Sequence, residues 1–336
     1  MHYTDLLNPP AVDFGPIFDL VWSRHIRPAV AVAQSLGWLD IWLENPMGME
    51  EAAQTFGVSI RGAEAIMAVL AASGYLSRDA EGVYHPTAIT REYLVDSSPF
   101  YWGPVIPFDN SAVEDLKQAV THGEPIKAIA VQLGSQEDET LENFISGMHR
   151  LTLPAGIQLA KHPVFQGIKR VLDIAGGSGS LCCALAAQHQ QLKATVFDLP
   201  RVSAIARANI ETYGLTDRID VQVGDMFEDC WPTGYDAILM GNIFHDWDVA
   251  SCGKLASSAF QALPSGGKLL LHEMVLDETR DGPLAIACFS ISMLLHERGK
   301  QYTPGEFRAM LGQAGFEQIT ISPSFGHYSL VSATKP

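Results

Sequence analysis

The chain has 336 residues, 47% of them hydrophobic and 18% charged, and a formal net charge of −16. This length and apolar content are enough for two ordinary cores, so we expect two domains. The negative charge, with no Lys/Arg-rich run to offset it, argues against nucleic acid as a partner.

The amino-terminal residues lack a basic segment followed by an apolar one, and no run of about 18 apolar residues occurs. The sequence therefore predicts a soluble, cytoplasmic protein that has no membrane partner.

The first hundred residues predict a winged-helix dimerisation domain. Residues 16–43 are apolar on most sides, which suits helices packed against a second subunit and predicts a homodimer. A helix, a turn near Gly57, a helix from about Ser59 to Ala72 and a hairpin turning at residues 79–82 are then expected. Because Arg61 is the only arginine of the second helix, we expect dimerisation rather than DNA reading.

A helical connector that contributes to the substrate pocket is expected over residues 101–165. From Val171 onward, short β-branched runs alternate with helical segments, which is typical of βαβ units. The last two strands, QITIS and HYSLVSA, predict an antiparallel hairpin. The predicted fold class is α/β, with a Rossmann-like doubly wound sheet over residues 166–336 and a mainly α-helical winged-helix domain over residues 1–100.

The stretch VLDIAGGSGS predicts a ligand-binding turn after the first strand of this sheet. Gly176, Gly177 and Gly179 stand where a strand turns sharply into a helix and where backbone can approach a ligand. A dinucleotide fingerprint would need another glycine where Cys182 stands, so NAD is disfavoured.

Acidic residues recur at the ends of the next strands. Asp173 lies within the first strand, Asp198 ends the second and Asp225 ends the third. A carboxylate after the second strand fits a ribose diol, and one beside Met226 and Phe227 fits an adenine amino group with apolar packing on its ring.

The series VLDIAGGSGS, VFDLP, GDMF, ILMGNIFHDWD, LPSGGKLLLHE and YTPGEFRAMLGQAGF resembles class I S-adenosylmethionine-dependent methyltransferases of the small-molecule O-methyltransferase type. The resemblance covers nearly the whole chain and implies an enzyme that binds S-adenosylmethionine. It implies that the following residues contact the cofactor: Asp173, Gly176, Gly177, Gly179, Asp198, Leu199, Asp225, Met226, Phe227, Asn242 and Trp247.

The stretch GNIFHDWD places a histidine beside an aspartate at the end of a buried strand. In the phenolic O-methyltransferases that the chain resembles, the histidine matching His245 removes the hydroxyl proton and two glutamates orient it. One glutamate matches Glu273, whereas Gln301 takes the place of the other. The resemblance thus implies phenolic O-methylation with His245 as the base and Glu273 as its helper, in an incomplete arrangement.

His296, at the end of the helix after the fifth strand, offers a different hypothesis. If that helix end faces the fourth-strand loop, then His245, Asp246 and His296 converge as a facial triad for iron or zinc. This pattern resembles the metal-dependent C-methyltransferases of 2-oxo acids, such as the phenylpyruvate and indolepyruvate enzymes. A metal holding the carboxylate and keto oxygens would stabilise the enolate.

The favoured hypothesis is therefore metal-assisted methylation at C3 of a 2-oxo acid in natural-product biosynthesis. Phenolic O-methylation is the alternative, and a winged-helix regulator that senses the cofactor is a third. A capping or packing role for His296 is also left open.

The acceptor is expected to contact aromatic and flexible apolar side chains and a few polar groups. The candidates are Tyr101, Trp102, Phe144, Met148, Phe244, Met293 and Gln301. The alternative for each is that it only packs in the core.

Overall fold

A computed structural model describes residues 3–102, 110–126 and 138–336. The helices are α1 (Gly15–Trp22), α2 (Ile26–Ser35), α3 (Trp38–Glu44), α4 (Met49–Phe56), α5 (Ile60–Ala72), α6 (Ala88–Tyr93), α7 (Asn110–His122), α8 (Asp138–Leu159), α9 (Ser180–Gln188), α10 (Pro200–Thr212), α11 (Val249–Ala262), α12 (Leu284–His296) and α13 (Pro304–Gln313). The strands are β1 (Leu76–Arg78), β2 (Tyr84–Pro86), β3 (Arg170–Ile174), β4 (Lys193–Asp198), β5 (Ile219–Val223), β6 (Ala237–Gly241), β7 (Lys268–Met274), β8 (Glu317–Pro323) and β9 (Tyr328–Thr334).

The chain divides into two compact units, neither of which is continuous in sequence. Unit 1 comprises Met1–Phe14, Val131–Met274 and Gly305–Pro336, and unit 2 comprises Gly15–Ala130 and Val275–Pro304. The predicted domains are continuous, whereas the segment that carries α12 groups with the amino-terminal helices because α12 packs along α5. Residues 103–109 and 127–137 of the predicted connector lie outside the described residues.

Unit 2 contains the predicted helix, turn, helix and hairpin. Helix α4 ends at Gly57, which has a φ of 64°, and α5 begins after Ser59, whose Oγ accepts from the Gly62 amide. Strands β1 and β2 pair antiparallel. Helices α5 and α7 approach so closely that a Cβ on Gly62 would lie 2.2 Å from the Val120 oxygen. These elements of the winged-helix prediction are confirmed.

Arg61 of α5 points into unit 2. Its guanidinium donates to the main-chain oxygens of Gly123, Met293, Glu297 and Gly299 at 2.5–3.1 Å. Two of these carbonyls belong to the end of α12: that of Met293, which also accepts from the Glu297 amide at 2.7 Å, and that of Glu297 itself, at the cap, where a helix lacks donors of its own. The one arginine of α5 therefore closes the end of another helix.

Unit 1 contains a seven-stranded sheet with the order β5-β4-β3-β6-β7-β9-β8. The strands β3 to β7 run parallel, and the β8–β9 hairpin adds to β7 antiparallel. The predicted α/β fold class is confirmed, including the hairpin. The strand order reverses between β3 and β6, and ligands of doubly wound sheets bind at the carboxyl ends of the strands at such a point. The glycine-rich stretch follows β3, and GNIFHDWD begins at the end of β6.

Among the described residues, no single helix has the length and apolar character needed to cross a membrane. Helices α4 and α5, bent by 114° to each other, are together long and apolar enough for a membrane span, judged by length and composition alone. Nearly all of α5 is buried.

Candidate active site

The turn from β3 into α9 has a backbone that most side chains would disturb. Ala175, Gly177 and Gly179 have φ values of 51°, 57° and 74°, a region that glycine adopts without strain. Gly176 is needed for space, since a Cβ there would lie 2.7 Å from Asp173 Oδ2. The turn therefore presents bare backbone at the start of a helix, as the sequence predicted.

Two buried carboxyl groups border this turn. Burial raises the pKa of Asp173 to about 7, a hydrogen bond from the Cys182 thiol lowers it, and nearby Asp198 raises it. Burial raises the pKa of Asp198 to about 6, against the lowering effect of the amides of Gly177 and Leu199, which donate to it at 2.8 and 2.7 Å. Asp173 Oδ1 is buried and has no hydrogen-bond partner among the described residues.

The third predicted group lies after β5. Asp225 Oδ1 accepts from the Phe227 amide at 2.8 Å, and Met226 is partly buried beside them. The rings of Phe227 and Trp247 meet edge to face with centroids 4.6 Å apart. The structure therefore brings an apolar aromatic pair to the strand end that bears the carboxylate.

The observed residues fit the predicted cofactor. A buried carboxylate whose Oδ1 has no partner suits a cationic amino group, a carboxylate at the end of β4 suits a diol, and an aromatic pair suits an adenine ring. Asn242 adds a buried side-chain amide and has a φ of 58°. The individual contacts with the cofactor remain predictions.

The imidazole of His245 lies between two carboxyl groups. Its Nδ1 is 2.7 Å from Glu273 Oε2, and its Nε2 is 3.3 Å from Asp246 Oδ1. Glu273 is fully buried on β7, and its Oε1 accepts from the amides of Ile243 and Phe244 at 2.9 and 2.8 Å. The backbone of the GNIFHDWD stretch thus fixes the carboxylate that holds the ring of His245.

Asp246 is less enclosed than Glu273. About a quarter (25%) of its side chain is accessible, yet burial raises its pKa to about 6, with His245 lowering the pKa and Glu273 raising it. The carboxyl group beside the Nε2 atom is therefore protonated more readily than that of an exposed aspartate.

The predicted metal triad is not supported in the described part of the chain. No group of three His, Cys, Asp or Glu residues there could hold a metal ion. His296 Nδ1 lies 3.0 Å from the Ser292 carbonyl oxygen, one turn earlier in α12. An imidazole at a helix end has backbone acceptors within reach, so this residue is engaged locally, whereas the Nδ1 of His245 is committed to Glu273.

The predicted acceptor residues are distributed over both units. In unit 1, Phe144 packs against a small cluster on α8 and α10 and Met148 is partly buried, while Phe244 is fully buried with its ring centroid 6.1 Å from that of Phe307.

The remaining four belong to unit 2. Trp102 is 55% exposed, Tyr101 is partly buried and Met293 is buried. Gln301 is fully buried, and its carboxamide has no hydrogen-bond partner among the described residues. The role of all seven residues in acceptor binding stays a prediction.

Sequence reasoning missed polar side chains that reach the glycine-rich turn from α8. His149 Nδ1 is 2.9 Å from Ser178 Oγ, and Thr152 Oγ1 is 2.7 Å from Ser180 Oγ. The only signal in the sequence is that His149 and Thr152 stand three residues apart, on one face of a helix.

A glycine-rich turn at the switch point of a seven-stranded sheet, with acidic residues at successive strand ends, defines the class I methyltransferase fold. Residues 111–317 match the O-methyltransferase domain family. The chain belongs to this family and is an S-adenosylmethionine-dependent methyltransferase.

Individual relatives agree with this assignment. The chain is 34% identical over 307 residues to 3-hydroxy-5-methyl-1-naphthoate 3-O-methyltransferase of Streptomyces sahachiroi, covering 90% of this chain and 89% of that protein. An O-methyltransferase family 2 protein of Planctomyces limnophilus, solved as a complex with apigenin, has a TM-score of 0.89 and 27% identity and covers 98% of both chains. Human N-acetylserotonin methyltransferase in complex with SAM shares the fold, with a TM-score of 0.60, 23% identity and 98% and 99% coverage.

These relatives correct the expected subgroup. The family and the relatives from Streptomyces sahachiroi and Planctomyces limnophilus are named as O-methyltransferases, so the resemblance to the C-methyltransferases of 2-oxo acids is not supported. The regulator alternative is not supported either, because the family is one of enzymes.

Proposed function

We propose that this enzyme transfers a methyl group to the hydroxyl of a small aromatic molecule, with His245 as the general base. The observation that carries the proposal is the His245–Glu273 pair, in which a fully buried carboxylate, fixed by two backbone amides, holds the imidazole at 2.7 Å. Further support comes from the relative in Streptomyces sahachiroi, whose name specifies a hydroxyl acceptor on a naphthoate.

His245 is set up to take a proton at one defined atom. With the Nδ1 hydrogen directed at Glu273, the neutral ring carries its lone pair on Nε2. A phenol hydroxyl at Nε2 gives its proton to that atom and becomes the nucleophile. The resulting imidazolium has Glu273 on one side and Asp246, 3.3 Å from Nε2, on the other, so both carboxylates stabilise the charge that forms.

S-adenosylmethionine, when bound, supplies an electrophilic methyl group on a sulfonium. The residues that would hold it are those at the three strand ends: Asp173 and the glycine-rich turn, Asp198 with Leu199, and Asp225 with the Phe227–Trp247 pair. A sulfonium is a cation, and the carboxylates at these strand ends favour it over a neutral ligand.

A metal has no part in this proposal. Methylation of a hydroxyl oxygen needs no enolate to be stabilised, and the family and its relatives give a metal no support. Metal-assisted C3 methylation is therefore not proposed again.

We further propose that the enzyme acts as a homodimer through α1. Ile17, Leu20 and Val21 lie on one face of this helix and are 64%, 72% and 44% exposed. The opposite face is used within unit 2, since Phe18 and Trp22 pack on Phe289 with ring centroids 5.8 and 4.3 Å apart. An apolar face of this kind suits a second copy of the same helix.

The experiment compares acceptors and variants in one methyl-transfer assay. A hydroxynaphthoate and a 2-oxo acid are supplied with S-adenosylmethionine, with and without a chelator. We expect transfer to the hydroxyl acceptor only and no chelator effect. For His245→Ala, kcat should fall by about 10²- to 10⁴-fold while S-adenosylhomocysteine binding stays unchanged.

The matched control is His85→Ala, because His85 also pairs with a carboxylate, Asp79, at 2.7 Å, but on the hairpin of unit 2. Its turnover should match that of the unmodified enzyme. Methylation of the 2-oxo acid that the chelator abolishes, or full activity of His245→Ala, would refute the proposal.

A further inference from the structure

The glycine-rich turn is held from outside by two neighbouring helices. From α8, His149 contacts the Ser178 hydroxyl and Thr152 contacts the Ser180 hydroxyl, at 2.9 and 2.7 Å. From α10, Asn209 Nδ2 donates to the Ser178 carbonyl oxygen at 3.2 Å. Ser178 therefore has one partner for its side chain and another for its backbone.

The turn needs such contacts because its own residues offer little packing. Gly177 and Gly179 flank Ser178, both with positive φ, and glycine loses more conformational freedom on ordering than any other residue. Ser178 is the one residue between them with a side chain, and the residue is only 5% exposed. Fixing its hydroxyl fixes the directions of the neighbouring amides, which precede α9.

His149 is itself held on its far side. Its Nε2 lies 3.0 Å from the Tyr213 hydroxyl, and the two rings are nearly parallel. Burial and nearby Arg150 lower the pKa of His149, so its ring is neutral near pH 7. A neutral imidazole donates from one nitrogen and accepts at the other, and both hydroxyls can take either role.

We propose that His149 is a positioning residue for S-adenosylmethionine, acting through Ser178 to hold the glycine-rich turn in its binding conformation. The Nδ1 side of the ring carries this role, and the Nε2 side anchors the ring to Tyr213. The inference concerns cofactor binding alone, so it stands or falls independently of the hydroxyl acceptor proposed above.

Two substitutions separate the sides of the ring. The amide nitrogen of Asn sits about where Nδ1 of His does, so His149→Asn keeps the Ser178 contact and loses the Tyr213 contact. The amide nitrogen of Gln sits about where Nε2 does, so His149→Gln does the reverse. Calorimetry with S-adenosylhomocysteine should give a Kd within about twofold of the unmodified value for His149→Asn, and about three- to tenfold weaker for His149→Gln.

A double-mutant cycle tests whether Ser178 transmits the effect. Ser178→Ala should weaken the binding of S-adenosylhomocysteine about as much as His149→Gln does. The double variant should bind it no more weakly than Ser178→Ala alone. Tyr213→Phe, which leaves the Ser178 contact intact, should bind nearly normally. In steady-state kinetics, His149→Gln should raise the KM for S-adenosylmethionine and leave the KM for the acceptor unchanged.

A purely structural role predicts something else, because both His149 variants would then lower Tm alike and leave the Kd values equal. Equal Kd values for His149→Asn and His149→Gln, or additive losses in the cycle, would overturn the proposal.

Discussion

At the scale of single residues, the site is organised by carboxyl groups that differ in what they accept. Glu273 has three donors, two of them backbone amides, whereas one oxygen of Asp173 has none among the described residues. The Glu273 carboxylate is held in place before any ligand binds. The Asp173 carboxylate can still accept a hydrogen bond from a ligand. This contrast separates a residue that orients a base from one that recognises a cofactor.

The raised pKa of Asp173 predicts how cofactor binding depends on pH. In the free protein this pKa is about 7 and that of Asp198 is about 6. A cationic ligand favours the carboxylate, so the pKa of Asp173 is lower in the complex than in the free protein. Affinity is then full above about pH 7 and falls as the pH drops below it, by up to about tenfold per unit.

Calorimetry with S-adenosylhomocysteine between pH 8 and pH 6 measures this dependence. The Asp173→Asn variant should bind S-adenosylhomocysteine weakly, and its affinity should no longer change with pH just below pH 7. The Asp220→Asn variant, at an exposed position of β5, should behave as the unmodified protein. A pH-independent affinity over this range would contradict the assignment.

At the scale of elements, Arg61 links α5 to the end of α12. Burial lowers the pKa of Arg61 to about 10, which leaves it charged, and four main-chain oxygens share its guanidinium. We expect Arg61→Met to lower the free energy of unfolding by about 3 kcal/mol, because buried carbonyls lose their donor. For Arg61→Lys, the free energy of unfolding should lie between those of the unmodified protein and Arg61→Met, since an ammonium cannot span all four oxygens.

Urea denaturation at neutral pH measures these differences. Arg308→Met, on the exposed side of α13, is the matched control and should change little. If Arg61→Met and Arg308→Met unfold at the same urea concentration, the guanidinium does not stabilise the end of α12.

The elements show what local sequence can and cannot predict. The β–α alternation, the turn at Gly57 and the glycine-rich turn follow from spacing and backbone preference, and all were predictable. The pairing of Glu273 with His245 came from the resemblance and matches the observed contact. The end of α12 was predictable only in part: the contact of His296 with the Ser292 carbonyl lies within its own helix and fits the capping role left open above, whereas Arg61 reaches this end from α5 through tertiary packing.

At the scale of the whole molecule, the proposed dimer makes α1 an interface. We expect Leu20→Glu to shift the protein from dimer to monomer, because a carboxylate would be buried in an apolar contact without a partner. Sedimentation equilibrium measures the mass. Val249→Glu replaces another exposed apolar residue, on α11 and 53% exposed, and should leave the mass unchanged. A dimeric Leu20→Glu variant would exclude this face.

The division of the chain into interleaved segments has a practical meaning for taking the protein apart. Unit 1 is built from three stretches and unit 2 from two, so the polypeptide passes from one to the other four times. No single cut or truncation yields either unit intact, and a fragment that ends after β7 would lack both α12 and the β8–β9 hairpin. Rebuilding unit 1 on its own requires two new loops, one joining Phe14 to Val131 and one joining Met274 to Gly305.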